Sequence, residues 1–175
     1  MDTVTVESRI RFLILQHPQE ARNPLNTATL VAASLRNCRH RVGLSWRSLS
    51  VAVGEKAVSR QWAVLFLGTR KDSAPRAPFS SSIDGVVILD GTWKQSKTLW
   101  WRNPWLLKLN RIVLEPSHSS LYGKVRRQPR KQCLSTIEAA AECLSMLENN
   151  PLAANHLKET FSQFLLKGGN QDALA

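Results

Sequence analysis

The 175-residue sequence is poor in cysteine, and its three cysteines, Cys38, Cys133 and Cys143, are scattered without CxxC spacing. An odd number at such spacings argues against a disulfide framework and against a zinc site, and it favours a reducing compartment. We therefore predict a cytoplasmic protein that holds no metal.

The chain also lacks the marks of membrane, secreted and fibrous proteins. No apolar run approaches the roughly 20 residues of a membrane span, and the acidic start, with Asp2 and Glu7, is unlike a signal peptide. Glycine and proline number only 8 each, which excludes a collagen-like or low-complexity chain. Its length and its 43% of apolar residues suit one domain. We expect that domain over residues 9–167, with tails at 1–8 and 168–175.

Acidic residues are few, and the net charge is +11. Residues 36–147 hold 19 Lys and Arg against 7 acids, and the basic residues cluster at 36–47 and 124–131. Such clusters favour a polyanionic partner, because neutralising phosphates releases condensed counterions. A merely solvated basic face is the alternative. An anionic membrane is a weaker one, since neither cluster lies on a clearly amphipathic helix.

Continuous apolar runs predict strands that are buried on both faces, which is typical of a parallel sheet. The runs span residues 9–15, 61–67, 85–90 and 110–114, with a weaker one at 38–44. Helical patterns span residues 27–35, 92–101, 136–148 and 153–167. This alternation predicts an α/β fold with a mostly parallel sheet flanked by helices.

Three irregular segments follow predicted strands, at residues 16–25, 68–83 and 115–134. Ligands of open α/β sheets bind beyond the carboxyl ends of the strands, so these segments are expected to build one site. Asn26 is a candidate helix cap, and Ser135 with Glu138 has the pattern of a capping box.

Asp90 is the strongest candidate for chemistry. It closes an apolar strand and is followed by Gly91, which allows close approach of a ligand to the backbone. A half-buried carboxylate at a strand end has the surroundings of a tuned base. It also has the position of a cap for the helix that starts at Thr92, and both interpretations remain open.

Other chemistry is less clearly indicated. Four tryptophans crowd one region, Trp93, Trp100, Trp101 and Trp105, where they would either stack on nucleobases or fill the core. His17 and Glu20 are expected to order their loop rather than to catalyse. The sequence has no P-loop, no GxGxxG fingerprint and no GxSxG elbow.

Five motifs, in the same order along the chain, resemble those of the DTW-domain family, which is named for its Asp, Thr and Trp. They are LQHP at 15–18 with Glu20, NTA at 26–28, ILDGTW at 88–93, Tyr122 with Arg126 and Pro129, and LSTIEA at 134–139. The interval after Tyr122 is one residue longer than the family pattern, so either Arg126 or Arg127 matches the family arginine.

The resemblance implies an enzyme that transfers the 3-amino-3-carboxypropyl group of S-adenosylmethionine to N3 of a uridine in tRNA, leaving methylthioadenosine. It also implies a SPOUT-like fold with a C-terminal trefoil knot. The expected partner is tRNA, with no membrane and no obligate protein partner. Zinc is not expected, because the cysteine-rich segment of many relatives has no counterpart here.

The resemblance also implies roles for individual residues. Asp90 would take the uracil N3 proton or orient the base. The expected cofactor-binding residues are Thr27, Leu67, Gly68, Leu89, Gly91, Thr92, Trp93, Leu114, Leu134, Ser135 and Thr136. The expected tRNA-binding residues are His17, Glu20, Arg36, Arg39, Arg41, Lys94, Tyr122, Lys124, Arg126 and Arg127. Two alternatives are a SPOUT-type RNA methyltransferase and a non-catalytic RNA-binding module.

Overall fold

The computed structural model describes residues 4–67, 82–114 and 135–167, and these form a sheet of five parallel strands flanked by helices. The strands are β1 (Arg11–Gln16), β2 (Cys38–Val42), β3 (Trp62–Leu67), β4 (Gly85–Asp90) and β5 (Asn110–Leu114). The helices are α1 (Ala28–Ser34), α2 (Leu49–Val53), α3 (Trp93–Arg102), α4 (Thr136–Cys143) and α5 (Pro151–Leu166). The predicted α/β fold with a parallel sheet is confirmed.

The strand order β2-β1-β4-β3-β5 creates a crevice between β1 and β4. The chain leaves β1 through α1 to reach β2 on one side, and it leaves β4 through α3 to reach β5 on the other. Gln16 and Asp90, the last residues of β1 and β4, are register partners at this point. A reversal of strand order of this kind is where open α/β sheets bind their ligands.

Both faces of the sheet are buried, which explains the continuous apolar runs. On one face, Phe12 and Ile14 of β1 and Ile88 of β4 pack against α1, α4 and α5. On the other face, Leu13 and Val87 pack against α2 and the segment that follows α3. At roughly 25 cal/mol per Å² of apolar surface removed from water, these two cores supply the main stabilising free energy.

Two helix starts follow the capping chemistry of the sequence, whereas the capping position of α1 is Thr27 and not the predicted Asn26. Ser135 and Glu138 form the predicted capping box at the start of α4, and Thr92 and Gln95 form a second one at the start of α3. Pro151 occupies the first turn of α5, two residues before the predicted start, because its missing N–H has no partner to lose there.

Several elements differ from the prediction, beginning with β1, which spans Arg11–Gln16 rather than residues 9–15. Helix α4 ends at Cys143 and continues as a π turn at Leu144–Glu148. Helix α2 was not predicted, because its five residues are too few for a periodic pattern. Val6, in the predicted N-terminal tail, pairs with Leu35 in an isolated bridge and donates its N–H to the Ser34 carbonyl at 2.8 Å.

A membrane-spanning helix was sought in the three described stretches of chain. None of their helices is both long enough and apolar enough to cross a bilayer.

Candidate active site

Asp90 lies half-buried at the carboxyl end of β4, on the face that α1 and α4 cover. Its Oδ2 accepts a hydrogen bond from Gln16 Nε2 at 2.6 Å, and its Oδ1 accepts one from the Thr136 hydroxyl. The interpretation of Asp90 as a helix cap is wrong, because Thr92 and Gln95 cap α3. Its carboxylate is instead held between a neighbouring strand and the start of α4.

Gln16 is the centre of a buried amide network behind Asp90. Its side chain is fully buried, and Nε2 donates also to Asn26 Oδ1 at 2.7 Å. Gln16 Oε1 accepts from Asn26 Nδ2 at 3.3 Å and lies 2.8 Å from His40 Nε2. A carboxylate has only acceptor atoms, so Gln16 must present its NH2 group to Asp90 and its oxygen to His40. His40 therefore carries its proton on Nε2.

His40 lies on β2, two register positions before the strand's end. Burial lowers its pKa below the ordinary value, and the negative charge of Asp90 opposes that shift. Burial thus favours the neutral imidazole, whose Nε2–H is the donor to Gln16 Oε1.

The start of α4 brings further hydroxyl groups to this site. Thr136 is the first residue of the helix, and its hydroxyl donates to Asp90 at the carboxyl end of the sheet. Thr27 Oγ1 accepts from the backbone N–H of Ile137 at 3.4 Å, which ties the start of α1 to the start of α4. Ser135 uses its hydroxyl and its N–H on Glu138, so it serves the capping box.

Gly91 follows Asp90 in a conformation that side chains rarely adopt. Its φ is +154°, and a Cβ atom there would lie 2.8 Å from Cβ of Gln95. The space where any other residue would place its side chain is filled by Gln95, so this position next to the carboxylate requires glycine.

His17 and Glu20 order the loop that follows β1. The His17 N–H donates to the Asp90 carbonyl at 3.0 Å, and its Nδ1 accepts from the Gln19 N–H at 3.2 Å. Glu20 is buried and accepts from Asn23 Nδ2 at 3.0 Å. Both residues hold the loop against the end of β4.

The sequence is similar to those of other proteins. The model of the DTW domain matches residues 2–167. The chain belongs to the DTW-domain family. It is 34% identical over 152 residues to tRNA-uridine aminocarboxypropyltransferase 2 of Macaca fascicularis, covering 84% of this chain and 49% of that protein.

Two other relatives agree with this assignment. The Drosophila melanogaster protein of the same name is 32% identical, over 81% of this chain and 57% of its own length. tRNA-uridine aminocarboxypropyltransferase A of Arabidopsis thaliana is 25% identical, over 82% and 64%. The chain thus spans about half to two thirds of the relatives it matches. No solved structure matches it.

Within this DTW domain, the expected cofactor-binding residues do not all lie together. Thr27, Gly91 and Thr136 lie around Asp90, as described above. Leu89 faces the α2 side of the sheet, and Leu114 is buried in the core at the end of β5, two strands from β4. Leu67 ends β3, and its side chain is not described. Gly68 and Leu134 lie outside the described residues, as do Tyr122, Lys124, Arg126 and Arg127.

The basic residues of segment 36–47 differ in their surroundings. Arg36 forms an exposed ion pair with Glu7 at 2.6 Å. Arg41 donates its Nε to the Ala52 carbonyl at 3.0 Å, while Arg39 is exposed on β2. These contacts leave Arg39 and Arg47 as the more available charges of the cluster.

The four tryptophans of the region 93–105 divide into two pairs. Trp100 packs edge-on against Phe66, with ring centroids 5.3 Å apart, and Trp105 is buried and donates its Nε1 to the Trp46 carbonyl at 2.9 Å. Trp93 and Trp101 are 69% and 75% exposed. The prediction that these tryptophans fill the core is therefore confirmed for Trp100 and Trp105 only.

Cysteine chemistry is not favoured in the part of the chain that the structure covers. Burial raises the pKa of the Cys38 and Cys143 thiols to about 12, so neither is a thiolate at neutral pH. No group of three potential metal ligands occurs among the same residues.

Sequence reasoning missed Gln16, Asn26 and His40. Gln16 and Asn26 lie inside two of the motifs, so the signal was present, but neither carries chemistry alone. His40 lies between Arg39 and Arg41, in a segment that was interpreted only as a basic cluster. Its role depends on the pairing of β2 with β1, which the sequence does not show.

Proposed function

We propose that this DTW domain transfers the 3-amino-3-carboxypropyl group of S-adenosylmethionine to N3 of a uridine in tRNA. The observation that carries the proposal is the carboxylate of Asp90, held by Gln16 and Thr136 where the strand order reverses. The printed names of the relatives support the same reaction.

The reaction requires a base or an orienting acceptor at the uridine. The imide N3–H of uracil must lose its proton before N3 becomes nucleophilic. Each oxygen of Asp90 accepts one hydrogen bond from the protein, and a carboxylate oxygen has room for a second. Asp90 therefore keeps a fixed orientation while one oxygen receives the imide hydrogen.

The surroundings of Asp90 also suit the donor molecule. S-adenosylmethionine supplies an electrophilic carbon next to a cationic sulfonium, and a carboxylate attracts such a cation. Gly91 follows Asp90 directly, so its backbone lies beside that carboxylate. Thr27, Gly91 and Thr136 are the described residues that would hold it.

We also propose a specific fold family and a polyanionic partner for this domain. A SPOUT-like fold with a C-terminal knot, over a catalytic domain at residues 9–167, agrees with the all-parallel sheet. tRNA agrees with a net charge of +11 that concentrates in residues 36–147.

The Asp90→Asn variant tests this function. It preserves the size of the side chain and removes the proton acceptor, so we expect a native melting curve, retained S-adenosylmethionine binding and a transfer rate about 10²–10⁴-fold lower. The measurement is mass spectrometry of nucleosides from tRNA that was incubated with the protein and S-adenosylmethionine.

The product identifies the reaction. An aminocarboxypropyl adduct together with methylthioadenosine supports the proposal, whereas a methyl adduct with S-adenosylhomocysteine replaces it with a methyltransferase. Absence of any adduct together with tRNA binding indicates a non-catalytic RNA-binding module. Full activity of Asp90→Asn contradicts the role of Asp90.

A further inference from the structure

The outer face of α3 carries two exposed tryptophans, Trp93 and Trp101, which are not among the hydrogen-bond partners of the Asp90 carboxylate in the described part of the chain. Positions 93, 97 and 101 are separated by four residues each, so they lie along one side of the helix, and residue 94 borders them. These positions are Trp93, Lys97, Trp101 and Lys94, and all four are exposed. The buried side of the helix is marked by Leu99.

The indoles alternate with ammonium groups along this face. Lys97 Nζ lies 6.0 Å from the centre of the Trp93 ring, within range of a cation–π contact. Trp93 and Trp101 are eight residues apart, which corresponds to about 12 Å along the helix axis. Exposed aromatic rings interspersed with cations match the chemistry of a single strand of nucleic acid, whose bases stack on the rings while its phosphates meet the positive charges.

The charge around this face has one sign. Residues 91–114 contain no acid, and their five basic residues are Lys94, Lys97, Arg102, Lys108 and Arg111. None of the five forms an ion pair with any other described residue. The field over α3 is therefore positive, which suits phosphates.

The position of the helix connects this face to the reaction. Helix α3 starts three residues after Asp90, so its first turn lies at the carboxyl end of the sheet. A strand of RNA that presents a uridine to Asp90 would place its neighbouring nucleotides along α3.

We propose that the face of α3 formed by Trp93, Lys94, Lys97 and Trp101 binds the unpaired nucleotides that flank the target uridine, with bases stacked on the indoles. This inference rests on the proposed function. A lipid surface is less compatible with the face, since membrane-binding helices bury a broad aliphatic face, and the one aliphatic residue of α3, Leu99, is in the core.

Trp101→Ala is the decisive variant, because Trp101 is 75% exposed and its removal should leave the melting temperature unchanged. The probes are a single-stranded oligouridylate and an abasic oligonucleotide of the same length and charge, titrated at fixed salt. We expect the wild type to prefer the oligouridylate, and Trp101→Ala to lose roughly five- to a hundredfold of that affinity. Its affinity for the abasic strand should not change.

Two further variants act as controls. Trp101→Tyr keeps an aromatic face and should restore most of the affinity. Leu152→Ala removes a side chain that is 80% exposed on α5, and it should bind as the wild type does.

The results separate this inference from the proposed function. Equal affinity of Trp101→Ala and the wild type for oligouridylate overturns the inference. Binding to phosphatidylserine vesicles in place of RNA, lost in Trp101→Ala, also overturns it and assigns the face to a membrane. The wild-type mass assay on tRNA is read independently: an aminocarboxypropyl product upholds the proposed function even when the face binds no RNA, and its absence contradicts that function whatever the face binds.

Discussion

At the scale of single residues, the orientation of the Asp90 carboxylate depends on partners that do not themselves react. Gln16 and Thr136 hold its two oxygens, and Gln16 is in turn held by Asn26 and His40. Fixed geometry of this kind reduces the reorganisation required when a proton is transferred. We therefore regard Gln16 as a positioning residue for the carboxylate.

Gln16→Met is the variant that tests this role. Methionine has a similar shape but neither donates nor accepts as an amide does, so Asn26, His40 and Asp90 each lose a partner. We expect a loss of about 1–3 kcal/mol in the free energy of unfolding for each buried polar group that stays unsatisfied. In steady-state assays kcat should fall while KM for tRNA changes little.

Gln163→Met, on an exposed position of α5, is the matched control and should change neither quantity. A loss of stability in Gln16→Met without a change of kcat at a temperature where the variant is folded would mean that Gln16 has only a structural role.

At the scale of elements, helix α4 places Thr136 against Asp90, and the capping box of Ser135 and Glu138 determines where that helix starts. Ser135→Ala removes the hydroxyl that accepts from the Glu138 N–H at 3.2 Å. We expect a decrease of about 0.5–2 kcal/mol in the free energy of unfolding, measured by urea titration. The transfer rate should also fall, because a frayed first turn releases Thr136.

Ser145→Ala provides the comparison for this element. Ser145 is exposed in the π turn after α4, and its replacement should change stability by less than about 0.5 kcal/mol. An equal loss in both variants would show that the box does not fix the start of α4.

The elements were largely predictable because each has a local cause. The strands at 85–90 and 110–114 agree with β4 and β5 to the residue, since apolar runs bounded by polar residues determine them. The capping box at Ser135 was predictable because it depends on two residues that are three positions apart in the sequence. The π turn after Cys143 was not, because α4 ends under the influence of its packing against α5.

The site was only partly predictable. Asp90 was identified from its place at the end of an apolar run. The contact with Gln16 depends on β1 and β4 being neighbours, which is a property of the strand order. No local pattern contains that order, so the partners of Asp90 appeared only with the structure.

At the scale of the whole molecule, the proposed binding of tRNA depends on where the charge lies. Arg39 and Arg47 are exposed and have no ion-pair partner among the described residues, whereas Arg36 pairs with Glu7. Arg39→Gln with Arg47→Gln should weaken tRNA binding and reduce the slope of log K against log salt by roughly one for each lost phosphate contact.

Arg36→Gln is the control for this experiment and should change the slope less, because Glu7 already competes for that guanidinium. A slope that stays the same in the double variant would place the phosphate contacts elsewhere on the molecule.

The strand order also has a consequence for how the protein folds. The bonds of Asp90 join residues 74 and 46 positions apart, and such distant contacts form late because long loops must close first. During synthesis, Gln16 and Asp90 leave the ribosome well before Thr136. The hydrogen bonds of Asp90 are therefore complete only when α4 has docked, so a growing chain acquires the geometry of its candidate site late in folding.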